Sequence, residues 1–276
     1  MPPLQGERLT EAWFSPQEPA YGTWKNIRFT KTEGVLFGVA RYPSTPIESQ
    51  TFLAYQDIIT LMRAAGFSQF LRVWNYFPAI NCEEAGLERY QSFCRGRHES
   101  LDKAGLLINE ELPAASAVGS DQGDALTIIF MASKGLLKQV ENPRQVSAFH
   151  YPERYGPKSP SFSRAVHWQQ GTASQLFISG TASIVGHLSL GEDSIRDQTL
   201  IMLANLEALI GKISRIPIHQ LGQRVVWKVY LRRSEDLPLV EDLLSTHLDS
   251  RSQIAYLRGD ICRSPLLIEI EGLLNL

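Results

Sequence analysis

The same order of predicted strands and helices occurs twice along the chain, and this repeat limits the possible folds more than any other feature. In the first half, a strand pattern in VLFGVARYPS precedes a helix pattern in QTFLAYQDIITLMRAAG and a strand pattern in FLRVWNYFP. In the second half, QLFISGTASIVG, QTLIMLANLEALIGKI and RVVWKVYLRR follow in the same order, and Trp74 and Trp227 fall in corresponding places. The repeat predicts two similar units within one chain.

Each half continues with a second predicted helix and then an apolar strand. The helices are in GLERYQSFCRGRHESLDKAG and LPLVEDLLSTHL, and the strands are ALTIIFMAS and PLLIEIEG. This order predicts an α+β fold in which helices back each sheet. We expect an N-terminal unit in residues 1–135, and a connector with the C-terminal unit in residues 136–276. The joining segment, residues 134–170, is rich in Pro, Ser, Tyr and Arg, and loops of this length often carry function.

Composition excludes several classes of protein. The 276 residues carry a net charge of -2, with no clustered basic face of the kind that binds nucleic acid. The N-terminus has no signal-peptide pattern, and no apolar run approaches the ~20 residues of a membrane helix. We therefore expect a cytoplasmic protein. The spacing of Cys82, Cys94 and Cys262 matches no zinc pattern, so we expect free thiols and no metal or other cofactor.

Five segments between residues 72 and 272 read RVWNYFPAIN, RYQSFCRGR, ENPRQVSAFHYPERYGPKSPSFSRA, LFISGTASIVGH and CRSPLLIEIEG. Together they resemble the motif series of the chorismatase family, in the family's order. The resemblance implies two fused YjgF/RidA-like (chorismate-mutase-like) units, each a mixed β-sheet backed by helices, which agrees with the repeat. Nothing is carried over to the segment before Trp24, which is short for the family. The resemblance leaves a monomer and a trimer both open.

The resemblance also implies a substrate and a reaction. Chorismate is a cyclohexadiene with a ring carboxylate and an enolpyruvyl ether that carries a second carboxylate, and the family releases pyruvate from that ether. We expect 3-hydroxybenzoate as the second product. Two alternatives stay open within the family: hydrolysis to a dihydroxycyclohexadiene carboxylate, and a mixture of 3- and 4-hydroxybenzoate. A third alternative is a RidA-like small-molecule binding protein without chorismate turnover.

Two glutamates near the C-terminus alternate with two isoleucines. Side chains of a strand alternate sides, so Ile268 and Ile270 share one face while Glu269 and Glu271 share the other. Cleaving an enol ether requires an acid that protonates its methylene carbon, and burial keeps a carboxyl group protonated near neutral pH. The resemblance places Glu269 at the family's acid position. We expect Glu269 to point into a cleft between the two units and Glu271 to lie nearer the rim.

A dianionic substrate requires cationic groups, and arginine matches a carboxylate with two parallel hydrogen bonds. Arg97 in RYQSFCRGR and Arg164 in SPSFSRA are the candidates because they lie in motifs rich in aromatic and small residues. Tyr90 and Tyr151 are expected to add hydroxyl donors and an aromatic wall. Arg95 is expected to face elsewhere on the helix.

Gly180 and Cys262 are the two positions that we expect to influence which product forms. Gly180 predicts either a strand that approaches the substrate closely or a β-bulge. The resemblance implies that members forming 3-hydroxybenzoate carry a cysteine at the position of Cys262, whereas hydrolytic members tend to have alanine. The thiol would steer the intermediate or act as an acid or base if its pKa suits. A buried, inert cysteine is the alternative interpretation.

Overall fold

Two β-sheets, each covered on one face by two helices, form the molecule. The computed structural model describes residues 1–6, 9–107, 111–120 and 123–276. The first half contains β1 (Ala20–Trp24), β2 (Ile27–Lys31), β3 (Val35–Pro43), α1 (Ile47–Ala64), β4 (Gln69–Phe77), β5 (Glu83–Glu84), β6 (Leu87–Glu88), α2 (Arg89–Lys103), β7 (Ala114–Gly119) and β8 (Ala125–Ser133). The second half contains β9 (Leu136–Val140), β10 (Ala165–Gln170), β11 (Ala173–Thr181), β12 (Ile184–Val185), β13 (Leu188–Ser189), α3 (Ile195–Ile210), β14 (Val225–Leu231), α4 (Leu237–His247), β15 (Gln253–Arg258), β16 (Asp260–Ile261) and β17 (Ile268–Asn275).

The strand order demonstrates the repeat directly. The first sheet runs β1-β2-β3-β8-β4-β7-β16, and the second runs β9-β10-β11-β17-β14-β15. Each sheet has one parallel pair, β4 with β7 and β14 with β15, among antiparallel neighbours. The predicted α+β fold with two fused units, each a mixed sheet backed by helices, is confirmed. Each unit also contains a strand that the sequence did not predict, β7 or β15, between its second helix and its closing strand.

The two tryptophans are not equivalent, contrary to the sequence prediction. Trp74 lies on the face of β4 that meets the second sheet, whereas Trp227 lies in the core between the second sheet and its helices. Trp227 packs where Gly272 leaves room, since a Cβ atom there would lie 2.5 Å from the indole ring. The RVW and RVVW segments differ by one residue before the tryptophan, and a shift of one residue along a strand moves a side chain to the opposite face.

Apolar side chains on the helix-covered face of each sheet form its core. In the first unit, Phe77 of β4 stacks on Phe93 of α2 with the ring centroids 5.0 Å apart, and Ile58 of α1 is fully buried beside them. In the second unit, Leu206 of α3 and Leu244 of α4 are fully buried against the sheet. Full burial of one such side chain contributes about 1.5–3 kcal/mol.

The uncovered faces of the two sheets pack against each other. Trp13, from the segment before β1, stacks on Phe177 with the centroids 6.2 Å apart, in a cluster that also holds Trp74. At one end, Ala114 bridges to Ser163, and β16 crosses from the second half of the chain to pair with β7. Because Ile268 and Ile270 occupy the helix-side core, Glu269 and Glu271 point toward the first sheet.

The long connector is ordered and partly strand. Its ends form β9 and β10, which occupy the same places in the second sheet as β1 and β2 in the first. Between them, residues 141–164 contain two short 3₁₀ helices, Ala148–His150 and Glu153–Tyr155. The division into residues 1–135 and 136–276 stays our proposed boundary. Within the part of the chain that the structure describes, no helix is long and apolar enough to span a membrane.

Candidate active site

A cavity of about 340 Å³ lies where the two units meet, and both contribute to its walls. Its size is within the range of small-molecule sites. The seven residues predicted from the sequence all line it: Tyr90, Arg97, Tyr151, Arg164, Gly180, Cys262 and Glu269. The predicted cleft between the units is therefore present, and the roles of these residues stay predictions.

Glu269 lies on β17 with its carboxyl group buried at the cavity wall. The residue is 4% exposed, and its Oε1 has no hydrogen-bond partner among the described residues. Burial, reinforced by the negative charge of Glu271, raises the pKa of Glu269 to about 8, although Arg72 and Arg164 act in the opposite direction. A carboxyl group with this pKa is protonated at neutral pH and can donate a proton.

Glu271 is buried, and its predicted position near the rim is wrong. It is 2% exposed and accepts hydrogen bonds from Arg72 Nη2 at 2.7 Å and Trp74 Nε1 at 2.8 Å. Lys228 Nζ lies 3.2 Å from its Oε1. Burial opposes ionisation, but Lys228 and Arg72 outweigh it and lower the pKa of Glu271. The sequence did not reveal this cluster because its cations come from β4 and β14, far from Glu271 along the chain.

Gly180 lies at a β-bulge, which is one of its two predicted roles, and it also packs against the acid; the close approach to the substrate stays a prediction. The register between β11 and β17 shifts between Ile178 and Thr181. The Gly180 amide donates a hydrogen bond to Ser116 Oγ at 3.0 Å. A Cβ atom on Gly180 would lie 2.0 Å from Glu269 Oε1. The absence of a side chain at Gly180 therefore allows the Glu269 carboxyl group to lie against the backbone of β11.

Arg97 and Arg164 are both 3% exposed, yet both retain donors without acceptors among the described residues. In Arg97 these are Nε and Nη2, and in Arg164 it is Nε. Arg164 Nη2 donates to the Tyr151 hydroxyl at 2.6 Å and to the Val146 carbonyl at 3.0 Å, which holds the guanidinium in place. Buried guanidinium groups normally have partners, so these unpaired donors indicate an anionic ligand. Arg95 instead pairs with Glu48 outside the cavity, as predicted.

Aromatic side chains form part of the cavity wall. Burial holds the pKa of Tyr90 well above its usual range, so its phenol stays protonated as a donor. Sequence reasoning missed Arg263 and Tyr155, which also line the cavity. The Arg263 guanidinium lies 4.0 Å from the Tyr155 ring centroid and 4.9 Å from that of Tyr151. Arg263 directly follows Cys262 in the CRSPLLIEIEG segment, which is the one sequence signal that pointed to it.

Cys262 is half-buried and lines the same cavity. Burial and the nearby Glu269 raise the pKa of its thiol to about 12. The thiol therefore stays protonated at neutral pH, which argues against a role as a base. In residues 1–6, 9–107, 111–120 and 123–276, no three His, Cys, Asp or Glu side chains are grouped so that they could hold a metal ion.

Comparisons with known proteins identify the family. Residues 11–132 match the family model described as chorismatase FkbO/Hyg5-like, N-terminal. A 3-hydroxybenzoate synthase from Streptomyces hygroscopicus is 36% identical over 96% of this chain and 81% of its own length. A chorismatase from the same organism is 36% identical over 97% of this chain and 79% of its own. The crystal structure of a chorismatase superposes with a TM-score of 0.87 at 34% identity, covering 94% of this chain and 80% of that one.

Proposed function

The chain belongs to the chorismatase family, and from this premise we propose that it converts chorismate into 3-hydroxybenzoate and pyruvate. The observation that carries the proposal is the buried Glu269 carboxyl group, whose pKa is about 8 and whose Oε1 has no hydrogen-bond partner among the described residues. It lies in a cavity that also holds two arginines with unpaired donors in that part of the chain. This arrangement joins an acid that is protonated at neutral pH to a binding site for an anion.

Glu269 acts in this proposal as the general acid. Its proton goes to the terminal methylene carbon of the enolpyruvyl ether, and the carbon that bears the ether oxygen becomes an oxocarbenium ion. Water or a neighbouring ring hydroxyl then attacks that ion, and pyruvate leaves. Proton donation by a well-placed carboxylic acid typically accelerates such a step about 10²–10⁴-fold.

The arginines bind the two carboxylates of chorismate. Arg97 has Nε and Nη2 free for one carboxylate, and Arg164 has Nε free for the other. Tyr151 is already hydrogen-bonded to Arg164, so the position of that guanidinium is fixed before the substrate arrives. Arg263 adds a third cation at the same wall. A pocket with these cations matches a small dianion better than a neutral ligand.

Product choice depends on the fate of the intermediate. The aromatising route consumes no net water, because chorismate contains all the atoms of 3-hydroxybenzoate and pyruvate, whereas the hydrolytic route consumes one water. We assign Cys262, as a neutral thiol beside Glu269, the role of steering the intermediate toward aromatisation. The identity to a relative named 3-hydroxybenzoate synthase supports this product, and the equal identity to a relative named chorismatase keeps hydrolysis as the second candidate.

A RidA-like binding protein without turnover is the alternative of a different class. It gives no reason for a buried acid that stays protonated beside two partly unpaired arginines. The three free thiols fit a reducing compartment, and a cytoplasmic location is part of the proposal.

The deciding experiment is incubation of the purified protein with chorismate, with pyruvate followed by a coupled assay and the second product identified by chromatography. Pyruvate with 3-hydroxybenzoate supports the proposal. Pyruvate with a non-aromatic diol moves the chain to the hydrolytic subtype. Tight chorismate binding without pyruvate supports the binding protein.

A further inference from the structure

Two buried carboxyl groups lie side by side on β17, and four donor side chains contact one of them, Glu271. The Glu271 carboxylate accepts hydrogen bonds from Arg72 Nη2, Trp74 Nε1 and Ser116 Oγ, with donor–acceptor distances of 2.7, 2.8 and 2.5 Å. Lys228 Nζ adds an ion pair at 3.2 Å. None of the described residues donates a hydrogen bond to Glu269 Oε1. A carboxyl group with four donors is stabilised as the anion, and a buried carboxyl oxygen without a donor favours the neutral acid.

The charges of the cluster balance when Glu269 is neutral. Arg72 and Lys228 supply two positive charges, which Glu271 and Glu11 match, since Glu11 Oε2 lies 2.6 Å from Lys228 Nζ. A second anion on β17 would have no cation of its own in this cluster. We propose that Glu271 is a positioning residue for the reaction: it takes up the available donors and the cationic charge, so that the proton stays on Glu269. This inference rests on the proposed function.

Ser116 connects Glu271 to the wall that holds the acid. Its hydroxyl donates to Glu271 and accepts from Arg72 at 2.7 Å and from the Gly180 amide at 3.0 Å. The Gly180 backbone is the surface against which the Glu269 carboxyl group packs. Glu271 therefore acts on Glu269 in two ways, through its charge and through the position of β11.

The groups that face Glu269 come from every element packed around it, and each has a defined charge near neutral pH. The cations are Arg72 on β4 and Arg164 in the connector, both of which lower the pKa of Glu269. Burial keeps the neighbouring phenols and thiol neutral, because it raises the pKa of each of these groups: Tyr76, Tyr230 and Cys262. Glu271 is the one anion of this set. Removing its charge leaves Arg72 uncompensated, so the pKa of Glu269 must fall.

The first test is the pH dependence of kcat/KM for pyruvate formation in Glu271→Gln, which keeps the shape of the side chain and removes its charge. In the wild type, kcat/KM should decline with an apparent pKa of about 8, where Glu269 of the free enzyme loses its proton. In Glu271→Gln, this decline should move down by one pH unit or more, which gives a loss of about fivefold or more at pH 8 and a smaller loss at pH 5.5. Equal losses at every pH, with the decline unmoved, would make Glu271 a structural residue and overturn the inference.

Glu11→Gln is the matched control. It removes a carboxylate from the same cluster at its exposed end, where Glu11 pairs with Lys228, and Glu11 is not among the charges that shift the pKa of Glu269. The pH at which kcat/KM declines should be the same in this variant as in the wild type. A shift as large as that of Glu271→Gln would assign the effect to the net charge of the cluster and not to Glu271.

Infrared titrations of the wild type, Glu269→Gln and Glu271→Gln test the inference by locating the proton. Between pH 5.5 and 7, a protonated carboxyl band should be present that is missing from Glu269→Gln, and no second band should belong to Glu271. A protonated Glu271, or an ionised Glu269, would overturn the inference. This readout needs no substrate. If the protein leaves chorismate intact, the proposed function fails, and the spectrum still decides where the proton lies.

Discussion

Gly180 and Glu269 touch across neighbouring strands: a Cβ atom on Gly180 would lie only 2.0 Å from Glu269 Oε1. Separations below 3 Å do not occur between real Cβ atoms and their neighbours, so even a methyl group on β11 must displace the carboxyl group. Because this group is the end of a flexible side chain, it can move without disturbing the fold. The position of the acid is therefore tied to the absence of a side chain at residue 180.

Gly180→Ala should lower kcat for pyruvate formation by about 100-fold while the melting temperature stays close to that of the wild type. The reason is that a shift of about 1 Å in a reacting group can cost this much in rate. The measurement is steady-state kinetics with chorismate, together with product analysis and a thermal melt. A variant with wild-type kcat would show that the contact does not set the position of the acid.

The sequence predicted the strands and helices that are set by their own hydrophobic pattern. It missed the features that depend on contacts between the two units. The long strands and all four helices follow the periodicity of their own apolar residues. β7 was missed because AASAVG has one β-branched side chain, Val118, and no aromatic side chain of the kind that marks strands. Its residues are small because the second sheet packs directly against it, with Ala114 bridged to Ser163.

The site residues also separate into those that local sequence predicts and those that contacts between the units determine. Glu269 and Cys262 were found because they lie in a contiguous segment that resembles a family motif. Glu271, in the same segment, was placed wrongly, since nothing local shows that Arg72 and Trp74 from the other unit approach it. A strand pattern tells which face a side chain is on, but what it meets on that face depends on how the two sheets pack.

Arg97→Lys should raise KM for chorismate by about tenfold or more and change kcat less. Lysine keeps the charge but cannot make the parallel hydrogen bonds that the free Nε and Nη2 of Arg97 offer to a carboxylate. A charged hydrogen bond lost in a buried site costs about 1.5–3 kcal/mol, and 1.4 kcal/mol corresponds to tenfold in affinity. The measurement is the separate determination of KM and kcat.

Arg95→Lys is the control for that substitution. Arg95 lies two positions away on the same helix, its side chain is 39% exposed, and it pairs with Glu48 outside the cavity. The KM of Arg95→Lys for chorismate should match that of the wild type. Equal increases in both variants would indicate a general effect on α2 and would remove Arg97 from the binding site.

Cys262→Ala should shift the product from 3-hydroxybenzoate toward the dihydroxy diene, with pyruvate formation retained. The thiol is neutral at the pH of the assay because burial raises its pKa to about 12, so its loss removes a steering contact and not the acid. The measurement is the product ratio by chromatography at equal pyruvate yield. An unchanged ratio would make Cys262 an inert wall residue, and loss of all pyruvate would give it a role in the first step.

Glu269→Gln should lower kcat for pyruvate formation at least 10³-fold and leave chorismate binding in place. The amide has almost the same shape as the acid but cannot donate its proton to carbon, and general acids typically contribute 10²–10⁴-fold. Binding by calorimetry separates lost chemistry from lost affinity. Turnover near the wild-type rate would refute the mechanism.

The same substitution has a consequence for stability that needs no substrate. The pKa of Glu269 is raised to about 8 in the folded protein, from an ordinary value near 4.5. The folded state therefore keeps a proton that the unfolded state has lost, and the wild type loses stability as the pH rises from about 4.5 to about 8. The loss is on the order of a few kcal/mol. Glutamine does not titrate, so the variant is spared this loss.

Melting curves at pH 5 and pH 8.5 measure the difference. From pH 5 to pH 8.5, the melting temperature of the wild type should fall by roughly 5 °C more than that of Glu269→Gln, or by a larger margin. The reason is that about 1 kcal/mol corresponds to at least 2 °C in a chain of this size. Glu18→Gln, which changes an exposed carboxylate, should parallel the wild type. If the melting temperatures of Glu269→Gln and the wild type change in parallel with pH, then Glu269 is ionised in the folded protein at neutral pH and cannot be the acid.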